Sequence, residues 1–189
     1  MPRSAKKAQG RLQTYVVLLR GINVGGKTKI SMSDLRTLLT GLGAEDVRTH
    51  LQSGNAVLRS RMAATRLTAA VEKAIARELS LEVTVLVRTS AQLVRVVASN
   101  PFSGKAKAPA KVHVAFLAAA PGRARVQALD PKRGEPDEFR VAGREIYLYY
   151  PNGYGRTKIN NAYFEKQLGV AATTRNWNTV TKLAELANA

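Results

Sequence analysis

The order of elements legible in the sequence predicts an α+β fold of mostly antiparallel sheets with helices packed on one face. The first half reads strand, helix, strand, strand, helix, strand, which is the order of a ferredoxin-like split βαβ unit. The second half repeats that alternation, although no residue-level internal repeat is visible. With 189 residues and 45% hydrophobic content, the chain can bury a real core, in one large domain or two small ones.

Each element has its own signature. Thr14–Arg20 (TYVVLLR) is an apolar run of strand length that Gly21 ends. Ser31 is placed to cap a helix, with Asp34 completing a capping box and Leu35, Leu38, Leu39 and Leu42 on one face. Val47–Gln52 and Ala56–Ser60 read as a hairpin around Ser53-Gly54-Asn55. A helix over 64–79 places Leu67, Val71, Ala74, Ile75 and Leu79 on one side, and Glu82–Arg88 is the strand after it. The second half opens with a short helix near 91–99, then a basic, proline-bearing loop and a strand at Lys111–Ala118. A helix over 123–129, a hairpin across Ala142-Gly143-Arg144, a helix near 161–168 and a last helix over 178–187 complete the chain. The expected division is a disordered basic arm over 1–13, a first ferredoxin-like half over 14–89 and a second half over 90–189.

Charge is the strongest compositional feature: 30 Lys plus Arg against 13 Asp plus Glu, a formal net charge of +17. The arm contributes Arg3, Lys6, Lys7 and Arg11, yet the body is basic without it. No acid occurs from Val83 to Leu129, a stretch that includes Arg88, Arg95, Lys105, Lys107, Lys111, Arg123 and Arg125. Such a field attracts nucleic acid, phosphorylated metabolites or anionic lipid, although an Ala/Arg-rich composition gives the same excess without a partner. The absence of cysteine excludes disulfides, thiolate metal sites and a cysteine nucleophile. His50 and His113 are too few imidazoles for most zinc or iron sites, and carboxylate-only magnesium binding stays open although acids are scarce; no metal or cofactor is expected. No segment reaches the roughly 20 apolar residues of a membrane span, and the arm lacks the apolar stretch of a secretory signal. The expected location is the cytoplasm.

Gly21-Ile22-Asn23-Val24-Gly25-Gly26-Lys27-Thr28 matches the spacing of a phosphate loop, between a strand and a helix. The context does not fit a nucleotide triphosphatase. The helix cap falls at Ser31 instead of within the loop, no apolar strand ends in the Asp that helps hold magnesium, and the parallel-sheet succession is absent. The loop is read instead as a glycine-rich turn whose amides, with Arg20, Lys27 and Lys29 around them, form an anion nest.

The residues LLRGINVGGK (Leu18–Lys27), QSGN (Gln52–Asn55) and TTRNWNTVTKL (Thr173–Leu183) occur in an order and at intervals that resemble a bacterial family catalogued as domain of unknown function 1697. Asn100-Pro101, Gly155–Lys158 and Phe164–Gly169 add to the resemblance, which covers nearly everything from Tyr15 onward. It implies two ferredoxin-like halves and no biochemical activity.

Three further segments admit either a binding role or a plain structural one. Arg175 and Asn176 precede the last helix, where free amides and a guanidinium favour negative charge; Trp177 is expected to dock that helix. The basic loop around Arg156 and Lys158 has tyrosines nearby, which either stack nucleic-acid bases or pack the core. Ser53 lacks the base and the strand–turn–helix elbow of a catalytic serine, and His113 reads as an ordinary strand residue. The expected site is therefore a basic cleft for a phosphate-bearing ligand or nucleic acid. Arg20, Asn23, Gly25, Gly26, Lys27, Lys29, Ser53, Asn55, Arg156, Lys158, Arg175 and Asn176 converge on it, either as a binding module or as an enzyme or sensor for a small phosphorylated ligand.

Overall fold

In the computed structural model, residues 10–26, 28–105 and 108–189 are described; most of the expected basic arm and Lys27 lie outside them. The first half runs β1 (Gln13–Leu19), α1 (Met32–Gly41), β2 (Glu45–His50), β3 (Asn55–Ser60), α2 (Ala64–Leu79), β4 (Val85–Thr89) and α3 (Ser90–Ala98). The second runs β5 (Val112–Leu117), α4 (Arg123–Gln127), β6 (Glu138–Ala142), β7 (Glu145–Tyr149), α5 (Asn161–Leu168), β8 (Ala172–Asn176) and α6 (Trp177–Asn188). The two sheets have strand orders β2-β3-β1-β4 and β6-β7-β5-β8, antiparallel throughout. Each is a ferredoxin-like unit followed by one extra helix, so the chain contains the same seven-element plan twice.

Strand alternation divides the interior into three cores. Tyr15, Val17 and Leu19 face outward onto α1 and α2, whereas Val16 and Leu18 face inward. Likewise Ala115 and Leu117 face α4 and α5, while Val112, Val114 and Phe116 face inward. The inward faces of both sheets meet α3 and α6, whose Leu93, Val96, Val180 and Leu183 fill the layer between them. Each sheet thus has its two crossover helices on one face, and the helix after its fourth strand closes the other.

The capping box expected of Ser31 and Asp34 is half-formed, with no return bond to the Asp34 carboxylate among the described residues. Ser31 Oγ accepts the Asp34 amide at the start of α1, and Thr89 with Gln92 forms a complete capping box on α3. Asn176 accepts the Thr179 amide and caps α6. One strand departs from the expectation: 172–176 was read as a lead-in to the last helix, and it is the edge strand β8. Its sequence, ATTRN, buries an arginine at an inward position, so the apolar alternation that marks a half-buried strand is missing.

Candidate functional site

Arg175 stands at the centre of the segments singled out by the sequence. On β8 it pairs with Val114, so its side chain points inward, toward the first sheet. It is 7% exposed, and its five N–H groups go to five protein acceptors. Nε donates to Asn55 Oδ1 at 2.5 Å. Nη1 donates to Thr173 Oγ1 at 2.7 Å and the Thr174 carbonyl at 3.0 Å. Nη2 donates to the Leu19 carbonyl at 2.8 Å and the Ser53 carbonyl at 2.9 Å. This guanidinium joins the end of β1, the β2–β3 turn and β8. Burial lowers its pKa to about 10, and among the described residues it has no carboxylate in ion-pair range.

The same construction occurs at the equivalent position of the first half. Arg88, on β4, is 1% exposed. Its Nη2 donates to the Leu117 carbonyl at the end of β5 and to the Arg144 carbonyl in the β6–β7 turn. Its Nε donates to Glu145 Oε1 at 2.8 Å. Glu145 is the first residue of β7, as Asn55 is the first residue of β3. Each half therefore inserts an arginine from its fourth strand into the other half. One clamp is charge-balanced by Glu145; the other meets the neutral Asn55.

Around Arg175 the remaining polar residues lock the loops. Asn23, at φ 56°, donates from Nδ2 to the Ile30 and Gln52 carbonyls, and its Oδ1 accepts the Ile30 amide. Asn55 is fully buried and donates to the His50 carbonyl and Ser53 Oγ. Gly54, at φ 76°, lies so close to Leu19 and Ile22 that a Cβ would fall 2.7 Å from Ile22 Cδ1. That contact and the left-handed backbone require glycine. Gly25 and Gly26 also have positive φ, but they stand in open space at an exposed tip beside exposed Lys29. Helix α1 begins only at Met32, so the loop does not run into a helical turn at Thr28 as a phosphate loop does.

Arg20 makes two bonds to Glu165 of α5, at 2.6 and 2.7 Å. Burial alone would raise the pKa of the Glu165 carboxyl, but bonds from Arg20 and the Ala172 amide outweigh it and the pKa is lowered. Arg156 and Lys158 do not join this group. They line a cleft of about 120 Å³ with Glu135 and Asp137, and Lys158 also borders another of about 490 Å³ with Arg133 and Lys166. The alternation of β8 explains the separation. Thr174 faces the side occupied by Tyr154 and Asn161, whereas Arg175 faces the opposite side.

The structure thus gathers Arg20, Asn23, Ser53, Asn55 and Arg175 near one junction, with Gly25, Gly26 and Lys29 on its loop, while the Asn176 side chain turns to α6. It leaves Arg156 and Lys158 elsewhere: the two clefts described above that they line include neither Arg175 nor any described residue of the 20–29 loop. Arg175, expected to face a ligand, has all its donors on protein atoms, and the Asn176 oxygen is taken by its cap. The nearby tyrosines are mainly packing: Tyr147 and Tyr150 are buried and donate to the Val96 and Ile159 carbonyls. Sequence reading singled out Arg175 and passed over Arg88, whose strand, VLVRT, shows it as one cation in an acid-free stretch.

Among the described residues no cluster of metal-ligating side chains occurs, and no helix is long and apolar enough to cross a membrane. Residues 12–147 match the profile of a family described as "Protein of unknown function (DUF1697)". No curated protein matches the sequence. Among solved structures, the conserved bacterial protein SP0830 from Streptococcus pneumoniae is similar, with a TM-score of 0.74 and 23% identity over 94% of this chain and 99% of that one. That likeness is one of fold.

Proposed function

Because the chain belongs to the family described as protein of unknown function DUF1697, which names no chemistry, we propose from the site itself that it binds phosphate-bearing polyanions, with single-stranded nucleic acid as the leading class. The supporting observation is the difference between the two arginine clamps. Arg88 meets a carboxylate, whereas Arg175 is held by neutral acceptors alone, so a full positive charge lies beneath the Ser53–Asn55 turn. The buried charge is screened less than a surface one and adds to exposed Lys29 and the glycine tip. Arg175 acts through its field, not through contact. The face is open and not enclosed, which suits an extended backbone better than a small ligand. Cytoplasmic residence belongs to the same proposal.

The test is binding of a fluorescent single-stranded oligonucleotide across a salt series. Affinity should fall with a log–log slope near −0.7 for each phosphate contacted. Lys29→Glu should weaken it about tenfold, since a charge-assisted contact is lost and a repulsion gained. Arg156→Glu with Lys158→Glu, on the other side of β8, should weaken it less. Equal losses in both variants would reduce the effect to net charge and overturn the assignment to this face.

A further inference from the structure

A second basic feature lies between α3 and the β6–β7 hairpin, at the other clamp. It is a cavity of about 260 Å³ whose lining includes Arg88, Arg95 and Arg144 together with Glu145. Three guanidiniums and one carboxylate thus line the cavity, and that carboxylate is already bonded to Arg88 at 2.8 Å. Arg144 donates from Nη2 to the Ala118 carbonyl, while its Nε is buried with no hydrogen-bond partner among the described residues. Arg95 projects from the exposed side of α3 and makes no ion pair among those residues. The proximity also shows in Arg88: burial lowers its pKa most, Glu145 opposes this, and the Arg144 charge lowers it further. The related groove between α6 and the β2–β3 hairpin contains Arg48, Arg59 and Asp46, and there Arg59 pairs with Asp46. By side chains the cavity beside α3 has the larger surplus of positive charge of the two.

We infer that this cavity binds a small oxyanion of the phosphate or phosphomonoester type, gripped between Arg95 and Arg144. A dianion supplies the negative charge that two of the three guanidiniums lack. Guanidinium forks match its oxygens in pairs. The neighbouring Gln92, Ser99 and Tyr147 shape the remaining wall. The volume lies just below the usual range for drug-sized ligands, which restricts the occupant to a phosphate with a short organic tail. The site is separate from the loop face proposed above and does not depend on it.

The experiment is a nuclear magnetic resonance titration of the full chain with inorganic phosphate, exchanged against chloride at constant ionic strength. The arginine Nε–H signals and the affinity are read. Saturable shifts at Arg95 and Arg144 are expected, and Arg95→Gln and Arg144→Ala should each weaken binding about tenfold or more. Arg144→Ala keeps the main-chain carbonyl that Arg88 uses, and Arg95→Gln changes an exposed helix position, so both variants should fold. Saturable shifts at Arg95 and Arg144 that persist in the Lys29→Glu variant separate this result from the loop face. A parallel titration with glycerol phosphate tells free phosphate from a phosphomonoester by which binds more tightly. Shifts that never saturate, or unchanged affinity in both arginine variants, would overturn the inference.

Discussion

A buried arginine is costly unless every donor is matched, and Arg175 meets that condition with five protein acceptors. Arg175→Met removes the guanidinium and leaves the Leu19 and Ser53 carbonyls unpaired at the junction. The expected cost is about 3 kcal/mol or more, read as a lower urea midpoint at unchanged slope. Lysine would satisfy only part of the set. His113 offers a second residue-scale prediction. It packs against the Tyr150 and Tyr154 rings at 5.2 and 5.4 Å, and its Nδ1 is buried without a partner among the described residues. Burial lowers its pKa from the ordinary 6.5, more than a backbone bond near Lys111 raises it. The folded state then holds fewer protons than the unfolded one below pH 6.5. Its contribution is complete above that pH and is lost as pH falls through the depressed folded value, about 1.4 kcal/mol per unit of depression. Stability measured from pH 7.5 to 5 should decline, and His113→Gln should flatten that decline. At this scale polarity singles out Ser53 and Asn55, which the fold brings to Arg175. Sequence reading could not tell which would turn toward protein, because that depends on the face of a strand it had not located.

Elements with strong local chemistry were legible. Helix α2 over 64–79 and α5 over 161–168 stand where spacing and flanking residues put them, and Ser31 caps as its type suggests. β4 is shorter than expected, beginning at Val85 instead of Glu82, and β8 was missed. β8 pairs on one side only and places Arg175 at an inward position, so its pattern is broken by the residue that joins the halves. The cap of α6 gives a prediction at this scale. Asn176→Ala removes the acceptor for the Thr179 amide and should cost about 1 kcal/mol, read as a lower unfolding midpoint. Because α6 fills the layer between the sheets, part of that loss should appear as faster hydrogen exchange in β1 and β5 as well as in the helix.

The duplicated plan is a property of the whole molecule and left no visible repeat in the residues. What persists is geometric: an arginine before the cap of α3 and another before the cap of α6, each reaching the opposite sheet. The central core draws Val16, Leu18 and Leu86 from one sheet and Val112, Val114 and Phe116 from the other. Neither half can cover that surface alone. The isolated segment 10–105 should therefore unfold without a cooperative transition and bind a hydrophobic dye, whereas the full chain should unfold in one step. The arrangement also brings the start of β1 and the finish of α6 together: Thr14 and Ala189 border the same groove, and Ser90 bonds Asn188 beside them. A chain rewired by a short peptide joining those two points, and opened in the stretch between α3 and β5, would retain every strand pairing described. The molecule is topologically close to a ring, and the place where its polypeptide is cut matters little to its architecture.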